Sequence, residues 1–553
     1  MFVRWVYQTR RKILSPFHSF RMVEDKNYEL ASRVECDGYL GTLKYVGPVG
    51  ETKGQWLGVD WDDPARGKHN GTYVGVQYFT TCSTLYRHPK SGSFIRPGKA
   101  KFGVSCPHAI RSRYGLIDDD LAGIDKDSLT SLQKEINAPF LEMVGFSKVN
   151  KRQSKFDQLQ NVWLRDQSVN DAGKPGELEM LCPMLNEIDI SKNLINSWEI
   201  ISDICIQLHR LIKLNVSENK LPVDVDLSPF KESFSKVNQL TMAKMKYNWE
   251  DVQKCIEMFP AIRELSISFN AVNTLEKPRD CSNMMKITAL TLEGNLIDSW
   301  NEVLKLGSLP CLECLNLNDN RIGAIRFPTD ESTAKTSLFT GLRQLHMSAN
   351  NISEWRSISE LEKLMNLEDL KFRDNPILKN GNTATMRQLI IGRISRLKYL
   401  NAIEIFNEER TGAEYDYLKL FGKQWLDIES IPGKRAEFVI EHPRYPSLIQ
   451  KYGAPDVHVP KLNAGMGSNV ISVEFMCPDD PNQPQKVRRK LLKDMEVQKV
   501  VGLVQRLFKT NGKIPTLSFV QHKLNGVEIN LDKPLQYLSY YSIQDGDQIL
   551  VRW

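Results

Sequence analysis

One pattern constrains this 553-residue chain more than any other. The motif Leu-x-x-Leu-x-Leu-x-x-Asn-x-Leu recurs down its middle. The array opens with Leu185-Ile188-Ile190-Asn193-Ile195 and Leu211-Leu214-Val216-Asn219-Leu221, continues through copies carrying Asn270, Asn295, Asn320 and Asn350, and closes with Leu367-Leu370-Phe372-Asn375-Ile377. Two degenerate copies keep the register, with Gln167 and Met245 at the asparagine position. Successive asparagine positions are 26, 26, 26, 25, 25, 25, 30 and 25 residues apart, too regular for chance. A fixed period of this length means a solenoid, because one short strand cannot bury its apolar residues alone and neighbouring units must stack. The asparagine side chain is expected to satisfy backbone groups at the turn after each strand, forming a ladder. The 30-residue step leaves room for a surface loop near 328–337.

This is the signature of a leucine-rich repeat array, read here over 156–405, and Arg396–Asn401 followed by Glu409-Arg410 resembles its C-terminal cap. Side chains between the pattern leucines face the concave surface. The first repeats offer Trp163, Glu187 and Asp189 there, the middle ones small polar residues, and the last Asp369 and Lys371. These five are the candidate concave-face binding residues. Trp163, a large aromatic on a polar face, either anchors a partner or is covered by the helical stretch 129–144.

Upstream, 12 glycines fall in the 68 residues from Cys36 to Gly103, which marks short strands joined by tight turns. Gly41-Thr42-Leu43-Lys44-Tyr45-Val46-Gly47, Trp56–Trp61, Gly67-Lys68-His69-Asn70-Gly71 and Gly92-Ser93-Phe94-Ile95-Arg96 together resemble a CAP-Gly domain. That resemblance implies a small β-barrel over 28–108 that binds acidic, aromatic-ended C-terminal tails, such as that of α-tubulin. The residues suit the chemistry. The Gly67–Gly71 loop lets backbone amides approach a carboxylate, Lys68 adds a point charge and Asn70 an amide. Trp56, Trp61 and Phe94 can wall a slot for a terminal ring, and Arg96 can meet upstream carboxylates. His69 and Asn70 stand where the family usually has Asn and Asp, and Glu51 where an aromatic is common.

At the other end, Val470–Phe475 and Val487–Leu492 read as strands, and Val497, Val500, Val501, Val504, Leu507 and Phe508 form one helical stripe. With strands at Leu517–Val520 and Gln548–Arg552, the order over 468–553 resembles the ubiquitin-like β-grasp. Without a diglycine tail it is expected to dock rather than be conjugated. Lys486-Val487-Arg488-Arg489-Lys490 could pass as a nuclear signal, although a charged strand face explains it more simply. Residues 1–27 read as a basic tail and 109–155 as a helical connector. Residues 406–467 read as a cap extension and linker, the latter marked by prolines 443, 446, 455 and 460.

Composition excludes more than it proposes. Lys+Arg 73 against Asp+Glu 67 gives +6, too mild a charge to point to nucleic acid. No stretch reaches the roughly 18 apolar residues of a membrane span. Ten cysteines without framework spacing are expected as free thiols, and Cys311-Leu-Glu-Cys314 lacks the second pair that a metal site needs. Phosphate-binding, zinc-protease and serine-hydrolase motifs are missing, so no catalytic residue, metal or cofactor is expected.

The ordered trio of a CAP-Gly domain, leucine-rich repeats and a ubiquitin-like domain resembles the cofactor E family of tubulin-folding chaperones. The resemblance implies a cytoplasmic, cytoskeleton-associated, non-enzymatic protein. It would bind α-tubulin, work with other tubulin-folding cofactors in assembling the α/β heterodimer, and be able to dissociate it. Partners in the ubiquitin–proteasome pathway are a further expectation. Two other readings stay open at this point: a microtubule-tip adaptor, and a ubiquitin-pathway scaffold.

Overall fold

The computed structural model describes residues 28–81, 90–115, 155–279, 282–328, 334–428, 431–453, 470–479, 486–508, 513–520, 528–541 and 543–552. The basic tail, the stretch 129–144, residues 329–333 of the 328–337 insertion and the linker prolines 455 and 460 lie outside the described residues. The chain forms two compact units, one of residues up to 245 with 251–262, the other of 246–250 with 263–553.

In the first unit, the strands Arg33–Cys36, Tyr39–Gly47, Trp56–Trp61 and Gly92–Ile95 form an antiparallel sheet in that order. Its core gathers Val34, Leu43, Leu57, Val59, Trp61 and Ile95. The chain then passes directly into the solenoid. Val104–Ser105 pairs in parallel with Val169–Asp171, and the helix Cys106–Tyr114 starts where the Ser105 hydroxyl accepts from the His108 N–H. This helix begins just ahead of the connector expected at 109–155, of which residues 116–154 lie outside the described residues, and packs on the open end of the repeat stack. Its Cys106 is buried, as are Cys182 and Cys205 of the first repeats, and its Arg111 pairs with Glu177 at 2.8 Å.

Further contacts fasten the β domain to the repeats. Asn170 Nδ2 donates to the Phe102 carbonyl at 2.6 Å, and Lys220 Nζ lies 2.5 Å from Asp62, which also binds the buried Arg33. Burial pushes the Asp62 carboxyl up, but the hydrogen bond and charge of Arg33, then Lys220, outweigh it and hold the carboxyl below its ordinary value. In this unit Asn161–Trp163, Glu187–Asp189, Lys213–Asn215 and Gln239–Thr241 run parallel and in register.

The asparagine ladder forms as expected. Asn193 Oδ1 accepts from the N–H groups of Gln167 and Val169 at 3.1 and 2.8 Å, while its Nδ2 donates to the carbonyls of Leu164 and Ser191. Asn295 repeats this in the second unit toward Asn270 and Val272. The periodic pattern did not disclose one feature. The residue before each ladder position is left-handed, with φ from 50° at Lys192 to 68° at Gly294, and glycine occupies that position only once. The repeated hydrogen-bond network over-determines a conformation that Lys, Glu or Phe would otherwise avoid.

The second unit continues with parallel strands Glu264–Ser266, Ala289–Thr291, Cys314–Asn316, Gln344–His346, Asp369–Lys371 and Tyr399–Leu400, closed by antiparallel Ile403–Glu404. The helices Thr383–Arg393, Asn407–Asp427, Pro432–Glu441 and Tyr445–Tyr452 follow. Pro443 and Pro446 therefore do not mark a linker. Pro446 sits in the first turn of the last helix, where a missing N–H costs nothing. Glu414 anchors this cap, bonding Arg444 at 2.5 Å, Tyr452 at 2.7 Å and Lys451 at 3.0 Å.

The last domain is a five-stranded β-grasp sheet in the order Val487–Leu492, Val470–Met476, Gln548–Arg552, Thr516–Val520, Glu528–Asn530, crossed by the helix Val497–Phe508. It leans on the cap: its Leu535 joins the cluster of Tyr417, Trp425, Phe438 and Tyr445, and Glu496 meets Lys419 at 2.5 Å. Among the described residues, no helix is long and apolar enough to cross a membrane, and eight cysteines are free thiols.

Candidate functional site

Strand register builds the site in the N-terminal domain. Phe94 pairs with Gly58, and that glycine is what lets rings crowd together here. A Cβ on Gly58 would stand 2.6 Å from the Phe79 ring and 2.8 Å from Tyr45 Cβ. The half-buried Phe94 consequently sits at the centre of an aromatic cluster, with His69 at 4.8 Å, Tyr78 and Phe79 at 5.5 Å, Tyr45 at 6.2 Å and Tyr73 at 6.5 Å between centroids. Two hydroxyls fix the rim: Tyr45 donates to the Pro48 carbonyl at 2.6 Å, and Tyr78 accepts from the Gly50 N–H at 2.9 Å.

The loop Gly67–Gly71 packs against this cluster by backbone contact. A Cβ on Gly67 would stand 1.9 Å from the Lys90 carbonyl oxygen, and one on Gly71 1.9 Å from that of Phe79. The N–H groups of Lys68 and His69 both donate to the Gly92 carbonyl, at 2.7 and 3.0 Å. Gly67 donates to Pro64, Gly71 to His69 Nδ1 and Thr72 to Asn70 Oδ1. Those amides hold the loop's shape and are not available to a carboxylate, which narrows the expectation from the glycine spacing to the one remaining loop amide, that of Asn70. What the loop offers outward is the exposed Lys68 ammonium and the exposed Asn70 side chain. Burial, and then the Lys68 charge, push the His69 imidazole below its ordinary pKa. With Nδ1 accepting from Gly71, the neutral ring carries its proton on Nε2.

The expected aromatic walls divide three ways. Phe94 is at the centre of the aromatic cluster. Trp56 lies under Arg96, whose guanidinium is 3.7 Å from the ring centroid and donates to the Lys53 carbonyl at 2.8 Å. Trp61 is 3% exposed in the domain core and walls nothing, because its strand turns it inward beside Val59.

On the solenoid, Trp163, Glu187 and Asp189 belong to the first unit, and Asp369 and Lys371 to the second. Trp163 is 46% exposed, and its backbone N–H donates to the Tyr114 hydroxyl at 2.8 Å. Asp189 is engaged at both oxygens, accepting from Ser191 N–H at 2.8 Å and Asn215 Nδ2 at 3.0 Å. Glu187 meets Lys213 at 4.0 Å. Asp369 differs: burial pushes its carboxyl up, Lys371 only partly offsets this, and its Oδ1 has no hydrogen-bond partner among the described residues. In the neighbouring strand, burial and then Lys371 hold the His346 imidazole down at about 4.

Residues 30–100 match the CAP-Gly domain family. Over 529 residues the chain is 40% identical to tubulin-specific chaperone E of Xenopus laevis, covering 94% of this chain and 98% of that protein. The Homo sapiens protein of the same name is 37% identical over 95% of this chain and 98% of its own length. The chain belongs to the tubulin-specific chaperone E family. Among solved structures, the C-terminal ubiquitin-like domain of mouse tubulin-specific chaperone E is 38% identical, covering 15% of this chain and 87% of that one, with a TM-score of 0.15.

In this tubulin-specific chaperone E relative, sequence reasoning missed Tyr45, Tyr73, Tyr78 and Phe79. No sequence signal places them there: Phe94 faces Gly58 only through sheet pairing, and aromatics fill the space that this glycine leaves. Strand alternation separates Trp61 from Trp56: an odd spacing of five puts them on opposite faces, and Trp61 shares the core face with Leu57 and Val59.

Proposed function

We propose that this chain is a non-enzymatic chaperone that captures α-tubulin through its acidic, aromatic-ended tail. In this reading the tail's terminal ring enters the cluster around Phe94, and its carboxylates meet Lys68, Asn70 and Arg96. The solenoid face holds the tubulin body, with Trp163, Glu187, Asp189, Asp369 and Lys371 as candidate contacts. With other tubulin-folding cofactors the protein assembles the α/β heterodimer in the cytoplasm, and can separate it. The observation that carries this is the aromatic slot beside a cationic loop, on a domain fastened to the first repeats by Asp62–Lys220 and Asn170–Phe102. An extensive subunit interface is beyond what one tail contact could open, so the body contact does the separating and the tail contact raises effective concentration.

The test is native mass spectrometry of the full chain with tubulin dimer, intact or lacking the α-subunit tail. Phe94→Ala is expected to weaken capture of intact dimer at least tenfold and to leave binding of tail-less dimer unchanged. Equal loss with both forms would place the contact elsewhere.

A further inference from the structure

The basic run at 486–490 is not absorbed by the reading above. It lies on Val487–Leu492, the edge strand of the β-grasp sheet. The pairing says which backbone groups on that edge are unengaged by the sheet. Glu474 donates its N–H to Asp547, and the Ser472 carbonyl accepts from Gly546, so both turn toward the other side of their strand. Their cross-strand partners are Arg488 and Lys490. In an antiparallel ladder those two residues must then direct N–H and C=O away from the sheet. Arg489, opposite Val473, points inward to the ladder.

The middle of this edge is cationic and exposed: Arg488 and Lys490 lie on one face of the strand, followed by the exposed Leu492, and Arg489 lies on the other, between half-buried Val487 and buried Leu491. Glu474 supplies the neighbouring negative charge, pairing Arg488 at 2.8 Å and Lys486 at 3.7 Å. Arg489 and Lys490 have no ion pair among the described residues. The Arg488 carbonyl accepts only from the exposed Arg489 guanidinium, at 3.0 Å, a contact that an incoming strand's N–H can replace. An edge whose donors and acceptors are not used by its own sheet recruits an extended chain, while its cations repel basic strands and would be desolvated under apolar ones. An incoming strand would alternate its side chains past Arg488 and Lys490 on one face and Arg489 on the other. Only a segment with carboxylates at successive positions complements both faces.

We propose that this edge binds an acidic, extended peptide segment by strand addition. The surface is separate from the CAP-Gly slot, and the inference does not depend on the reading of that slot. Strand addition supplies main-chain hydrogen bonds, and the cationic side chains select for carboxylates.

The experiment uses the full chain carrying Lys68→Ala and a fluorescein-labelled peptide of ten glutamates with an amidated C-terminus, read by anisotropy. The combined variant Arg488→Glu, Arg489→Glu, Lys490→Glu is expected to weaken binding at least tenfold, and the corresponding Gln variant less. Peptide should slow hydrogen exchange at the Arg488 and Lys490 amides and leave Arg489, already bonded within the sheet, unchanged. No peptide binding, or unchanged affinity in both variants, overturns the proposal. So does loss of affinity without slowed exchange at 488 and 490, which would mean a diffuse cationic patch. Equally strong competition by a single-stranded DNA oligonucleotide would also overturn it, because a peptide-specific strand contact is the claim.

Discussion

The loop Gly67–Gly71 and the inner face of the solenoid reach their shapes by opposite routes. The loop has almost no side-chain freedom to spend. Two glycines admit backbone where a methyl group would collide, and the Pro64 and Gly92 carbonyls and the His69 ring nitrogen engage most of the amides. The solenoid face is built by repetition, and its exposed groups are what remains after the ladder and the cross-repeat bonds are made. The contrast concerns which groups are left over. In the loop these are the rim side chains and the ring cluster behind them, and on the solenoid the few groups, such as Asp369 Oδ1, that the repeat chemistry leaves unsatisfied; these are the contacts proposed above.

The largest effect is expected where repetition is load-sharing. Asn295→Ala removes the acceptor of two buried N–H groups and the donor to Ile267 and Leu292. Each orphaned group costs about 1–3 kcal/mol, so the second unit should lose about 3 kcal/mol or more in chemical denaturation. A loss under about 1 kcal/mol would mean that the ladder ornaments a stack held by leucines alone.

Gly67→Ala should come next. The added methyl meets the Lys90 carbonyl oxygen, and relieving such an overlap typically costs about 1–3 kcal/mol. Affinity for an acidic peptide ending in Tyr should fall at least tenfold in calorimetry, while the solenoid's own unfolding transition stays in place. Retained affinity would show that the loop's path matters less than its Lys68 and Asn70 side chains.

The smallest effect concerns pH. His346 is held neutral at about 4 in the folded chain, against an unfolded value of about 6.5. A depressed histidine contributes stability that is fully present above the unfolded pKa. That contribution declines as pH falls from about 6.5 toward 4, because the unfolded chain takes up the proton first. His346→Gln should flatten the stability profile over that window and leave stability above pH 7 nearly unchanged. An NMR titration midpoint near 6.5 for His346 would remove the basis for this expectation.

Much of the molecule was legible beforehand because its determinants are local or periodic. A 25- or 26-residue period dictates stacking, and alternation along each strand dictates that Ile188 goes in while Glu187 and Asp189 face out. The glycine density and the Gly67–Gly71 loop located the small β domain for the same reason. Other properties are decided by partners far along the chain. Whether Asp189 is available depends on Asn215, one repeat later. Whether the loop's amides remain for a ligand depends on Gly92, reached only through sheet pairing. Sequence determines which groups are offered to each face, since that follows from covalent geometry and period. Tertiary structure decides which of them are already spoken for, since hydrogen-bond satisfaction and desolvation are set by whatever residues close packing brings alongside.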